Sequence, residues 1–299
     1  IPVPPASFEA ADGPVLNIRT RQNIVPGYKG SVRAQYIQAV FPKYAFGTSH
    51  YYKSGKFGVF ANYSISPRKE FRESENNINF IDDQNTVFSR LKTDTDRTAR
   101  TQAQQLNLIL DYDLSDRDQL NFTSNLTFSP NKTYGYQIET VMRNGQGVVD
   151  STLNTLQDTK EDQVNTSYDL NYTRKLKKEG ALLKANGHYT YYEEKSAQDG
   201  LTSYFDPSGV LLRDFLFNTD AKQNIDIFTG QVDFYNPISS GSFEAGIKTS
   251  VIRSRNRIDY LVGEDNQRSF DIALSERFTS DEEVYAAYAS LNKTWDPWT

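Results

Sequence analysis

The chain has 299 residues, with 33 basic against 38 acidic side chains and a net charge of −5, which argues against nucleic acid as a partner. It contains no cysteine, so disulfides and thiolate metal sites are excluded. Hydrophobic residues make up only 37% and no stretch nears the roughly 18 apolar residues of a membrane helix, a test to which a strand-built membrane protein is blind.

The opening "IPVPPASFEA" has no basic segment followed by an apolar one, so any signal peptide is expected outside this sequence. Strand-like stretches follow near 31–38 and 44–52. "FGVFANYSI" then sets Phe57, Val59, Ala61, Tyr63 and Ile65 on one face. In "LNLILDYDLSDRDQLNFTSNLTF", Leu106, Leu108, Leu110 and Tyr112 share a face, and Leu120, Phe122, Leu126 and Phe128 continue it after a tight turn. Asn121, Thr123, Asn125 and Thr127 take the other face, because successive strand residues point to opposite sides. "VNTSYDLNYT" repeats the pattern with Tyr168 and Leu170 against Asp169 and Asn171. "LLKANGHYTYY" gives Ala185 and Tyr189 against Lys184 and His188, and "SFEAGIKTSV" gives Ile247 against Lys248. With further stretches near 225–235 and 284–291, about ten strands of some 8 to 12 residues are expected, and no amphipathic helix competes.

The connections are sorted. Short ones fall at 53–56, 115–118, 175–180 and 236–241, and long polar ones at 68–101, 130–163, 193–224 and 254–283. Strict alternation puts all short turns at one end of an up-and-down sheet and all long segments at the other. This is the asymmetry of outer-membrane barrels. The apolar face is therefore expected to meet lipid and the polar face to line an interior. A soluble, secreted all-β module whose greasy face is covered by a second sheet, for instance a carbohydrate binder, is the alternative.

"ADGPVLNIRTRQNIVPGYKGSVRAQY" followed by "YYKSGKFGVFANYSI" resembles the plug–barrel junction of TonB-dependent outer-membrane receptors, through Gly13, Val15, Asn17, Ile18, Thr20 and Arg21, then Gly27, Gly30 and Ser31, then Tyr52, Lys53, Gly55 and Lys56. "EVYAAYASLNKTW" (283–295) looks like a later strand of such barrels. The resemblance implies that residues 1–29 are the end of a plug with its linker, and that 30–299 are the N-terminal part of an antiparallel transmembrane barrel with 22 strands in all. It also implies uptake of a nutrient, a small molecule or glycan bound at extracellular loops, with TonB as periplasmic partner acting through segments outside this sequence. A passive, porin-like barrel is the alternative within membranes.

No enzymatic motif or cofactor fingerprint is present. His50 and His188 are the only histidines and lie in no metal-ligand spacing; His188 is expected to line the interior. Asp111, Asp113, Asp116 and Asp118 lack the Gly and Glu of a calcium loop and read as turn carboxylates. Tyr134, Tyr136, Tyr204 and Phe205 are the candidates for ligand contact. Trp295 and Trp298 fit an interfacial belt. Arg253, Arg255 and Arg257 continue the outward parity of 243–251 past its apolar part and are expected to meet lipopolysaccharide phosphates, with pairing to loop carboxylates such as Asp259 as the alternative.

Overall fold

A computed structural model describes residues 26–264 and 267–293. They form one antiparallel sheet of eleven strands: β1 (Gly27–Ile37), β2 (Lys43–Ser54), β3 (Phe57–Ile81), β4 (Val87–Asp113), β5 (Asp118–Asn144), β6 (Val149–Lys175), β7 (Leu182–Phe205), β8 (Leu211–Ile238), β9 (Gly241–Glu264), β10 (Gln267–Phe270) and β11 (Glu276–Lys293). Strands β1 to β9 pair strictly in chain order. Strands β10 and β11 share the far side of β9, with β10 against its end and β11 against 241–258. The topology is up-and-down, and the sheet is not closed. The plug-junction residues Gly13 to Arg21, and Trp295 and Trp298, lie outside the described residues.

The alternation persists across the lower sheet, with few exceptions such as Ile109 on the polar face. By register, Phe57, Tyr112, Leu120, Tyr172, Ala185, Val232 and Ile247 occupy one row, and each strand adds further apolar residues above or below it on the same face. Nothing in the described chain covers that face. Among the described residues the only buried apolar side chains are Ala99 and Ala181, while Leu170 and Ile247 are 49% and 62% exposed. A sandwich would bury them against a second sheet, and the described residues form one sheet alone.

The opposite face is joined laterally by amides. Asn121 Nδ2 donates to Asp111 (2.8 Å), Asn171 Nδ2 to Asn121 (3.4 Å) and Asn186 Nδ2 to Asn171 (2.7 Å), a ladder over four strands. His188 sits in it, bonded to Asp169 (2.7 Å) and Thr190 (2.8 Å). A cleft of about 760 Å³ runs along this face from β2 to β6, lined by Lys53, Asp111, Asn121, Asn171 and Thr173, so the sheet curls toward its polar side.

Two expectations are corrected. Strands β3 to β9 have 24 to 28 residues and β11 has 18, not 8 to 12. The segments 68–101, 130–163 and 193–224 are accordingly not loops but the continued arms of β-hairpins, and most of 254–283 is strand as well. Polar residues on both faces hid the strands, since alternation is visible only where one face is apolar. A five-residue tip closes each of the hairpins β3–β4, β5–β6 and β7–β8. Asp82 Oδ1 accepts the amides of Gln84 and Thr86, Asn144 Oδ1 those of Gln146 and Val148, and Asp206 Oδ1 those of Ser208 and Val210. The fourth residue is left-handed in all three, at Asn85, Gly147 and Gly209, where Asn and Gly accept positive φ at least cost. The tips lie at one end and the short turns at the other, as the alternation of connection lengths predicts. The first strand begins at Gly27, within the segment read as plug and linker.

Candidate functional site: a lipid band, an inward vestibule and a cationic row

The outward apolar stretch covers Phe57–Ile65 on β3, Leu120–Phe128 on β5, Val164–Tyr172 on β6 and Phe243–Val251 on β9. Each is about 9 residues, the length that crosses hydrocarbon when tilted. The band descends relative to the register: Phe57 is level with Ile247, four residues above Phe243. The shift, about 13 Å, falls between β6 and β9, since the stretches of β3, β5 and β6 end on one row at Phe57, Leu120 and Tyr172.

Above the band the polarity of the two faces inverts. The outward face becomes charged, with Asp94, Asp96, Lys160 and Asp220. The inward face becomes aromatic, with Tyr134, Tyr136, Tyr204, Phe215, Phe217 and Tyr260. On β5 a bulge makes the switch. Ser129 pairs with Gln163, but Lys132 pairs with Glu161, so one extra residue is spent at Pro130–Asn131, where Asn131 has φ 52°. Below it, even-numbered residues such as Phe122 point to lipid; above it, Tyr134 and Tyr136 point inward.

The vestibule is built from rings held by cations and by each other. The Arg97 guanidinium lies 5.8 Å from the Tyr134 ring centroid and that of Arg213 lies 4.2 Å from Tyr204. Phe217 stacks on Tyr260 at 6.2 Å. Gly200 leaves the space for Phe217: a Cβ there would sit 2.1 Å from the ring. Deeper on β5 to β7, Lys132 donates to Gln163 (2.7 Å), Gln163 to the Tyr192 hydroxyl (3.3 Å), and Tyr192 to Glu194. Burial pushes the Glu161 carboxyl up, opposed by Lys132. A cavity of about 390 Å³ adjoins this network, lined by Glu194, Ala221, Gln223, Asn256, Ile258 and Phe278. Asn256 Oδ1 is buried there without a hydrogen-bond partner among the described residues. Acceptor atoms beside an exposed ring suit a ligand that carries hydroxyl or amine donors and one apolar face.

Of the sequence candidates, Tyr134, Tyr136 and Tyr204 share the inward face, whereas Phe205, the next residue along β7, points outward and is separated from Tyr204 by the sheet. The candidates Phe215, Phe217, Tyr260 and Phe278 were missed, because segments read as loops carry no facing information; their spacing of two along β8 was the available signal. Arg253, Arg255 and Arg257 keep the outward parity of Ile247, Thr249 and Val251 and are exposed. Arg257 forms an ion pair with Asp259 and holds that carboxyl below the usual range. Asp111, Asp113 and Asp118 accept from Asn121, Gln119, and Ser115 with Tyr172, as turn and ladder carboxylates.

A single up-and-down sheet with a lipid-height apolar band, a polar inner face and short turns at one end defines an outer-membrane β-barrel protein. Consistent with this, residues 174–299 match the model of the "Outer membrane protein beta-barrel family", and the protein is located in the bacterial outer membrane. No curated protein and no solved structure matches the chain.

Proposed function

We propose that the protein is part of a TonB-dependent receptor, a non-enzymatic importer that binds a scarce nutrient in the vestibule and passes it across the outer membrane. The observation that carries this reading is the inversion above the band. A passive pore gains nothing from an interior lined by Tyr134, Tyr136, Tyr204, Phe217, Tyr260 and Phe278 about 10 Å or more above the hydrocarbon, whereas a receptor needs such a surface to hold its ligand. The sequence resemblance at residues 11–66 and the up-and-down order of the strands support it. The ligand class that fits is a hydroxyl-rich small molecule or glycan: one sugar face stacks on a ring, while Glu194 and Asn256 accept from its hydroxyls.

The test uses the full-length protein in cells. Uptake of a labelled oligosaccharide or other nutrient identified by growth should stop when the inner-membrane proton gradient is collapsed or TonB is deleted. Replacing Phe278 and Tyr260 by Ala should abolish binding without loss of the barrel. Uptake that persists without the gradient would show a passive pore instead.

A further inference from the structure

We propose that the outward face of β8, β9 and β11 binds a phosphorylated lipid of the outer leaflet, the phosphates resting on a cluster of cations and an acyl chain lying in an apolar groove beneath them.

Register creates the cluster. Lys195 on β7, Lys222 on β8, Arg257 on β9 and Arg277 on β11 are directly opposed in a single row. Like charges facing each other across strands repel, so the row needs anions. The protein supplies some of them. Glu193 binds Lys195 (2.8 Å) and Lys222 (3.2 Å), which draw its carboxyl down to about 2, and Asp259 binds Arg257. Arg277, Arg255 and Arg253 form no ion pair within 4 Å among the described residues. Arg253 is flanked in its row by Asp226 and Asp281; Asp226 accepts the Tyr189 hydroxyl (2.8 Å). Three exposed guanidiniums therefore remain open to an outside anion, and the guanidinium fork matches phosphate oxygens in pairs.

Their height selects a lipid. Val251 ends the apolar stretch of β9, so at about 2.5 Å per tilted residue Arg253 and Arg255 stand roughly 5 and 10 Å above the hydrocarbon, within and just above the headgroup layer. Directly below them, the same three strands and β7 form an outward groove of about 610 Å³. Ala185, Gly230 and Ala287 make a low floor between Phe228, Ile247 and Tyr285. Headgroup cations above an acyl-sized trough are continuous along one strand, and a free anion would use only the upper half. A second opposed set at comparable height, Lys69, Arg100 and Lys160 around Thr133, extends the positive girdle over β3 to β6.

The experiment is native mass spectrometry of the purified full-length barrel with bisphosphorylated lipid A, with dephosphorylated lipid A and with inorganic phosphate. Wild type should retain the bisphosphorylated lipid. The R253Q/R255Q/R277Q variant should bind it at least about tenfold more weakly, and Gly230→Leu, which fills the groove, should also weaken it. Both variants should keep the heat-dependent gel shift of a folded barrel. Equal retention of both lipids, or unchanged binding by the triple variant, would overturn the proposal. Displacement of the lipid by millimolar phosphate would show an anion site and not a lipid site.

Discussion

Ile247 is the residue on which the lipid reading of the band can be tried most directly. It is the middle residue of the outward stretch Phe243–Val251, it is 62% exposed, and its strand neighbours Val232 and Ala287 are apolar. If that face meets hydrocarbon, Ile247→Arg places a charge at the midplane and should destabilise the barrel by about 2–4 kcal/mol. The cost should fall with height. Thr249 stands about 5 Å above Ile247 and Val251 about 10 Å, close to the edge of a roughly 25 Å band, so Val251→Arg should cost only about 0–1 kcal/mol. Lys248 lies between them in sequence but on the polar face, so Lys248→Arg should be neutral. The measurement is a guanidinium titration of the full-length protein reversibly folded into phospholipid bilayers, in which 3 kcal/mol shifts the folding constant by about two orders of magnitude. A flat series from 247 to 251, or an equal loss at Lys248, would refute the assignment of faces.

Cysteines placed at Ser208 or Gln146, in the hairpin tips, should react with a membrane-impermeant maleimide on intact cells, while one at Asp116, in a short turn, should react only after the outer membrane is opened. Replacing Tyr134 and Tyr136 by Ala should lower ligand binding although the band, which lies below, is untouched, and retained binding would show that neither ring serves the vestibule. Asp206 has its carboxyl lowered by the Ser208 hydroxyl and the amides of Val210, Ser208 and Gly209. The ionised form thus holds the tip at and above the ordinary aspartate pKa of about 3.9, and the tip should loosen as pH falls through the lowered value. The protection of the Val210 amide relative to its intrinsic exchange rate should fall on that acidification in the wild type, and should be low and independent of this group in Asp206→Ala.

Much of this protein is written locally. Period-two alternation in "LNLILDY", "NFTSNLTF" and "SFEAGIKTSV" identifies the lipid and lumen faces, because burial against hydrocarbon selects every second residue whatever the neighbouring strand is. The alternation of short and long connections fixes which ends are turns. The tip residues were legible in principle: Asp or Asn followed three places on by Asn or Gly marks 82–86, 144–148 and 206–210 alike. Other features exist only once strands are paired. Where a strand is polar on both faces its hydrogen bonds to neighbours, not its composition, keep it extended, so the arms at 68–101 and 130–163 looked like loops. The bulge at Pro130–Asn131 is a mismatch between two strands and has no meaning in one; it alone decides that Tyr134 and Tyr136 face the vestibule. The row of Lys195, Lys222, Arg257 and Arg277 is assembled from residues up to 82 positions apart. Their opposition depends on the hairpin registers, each set by its own turn, and a shift of one residue at any of them would send part of that charge to the other side of the sheet.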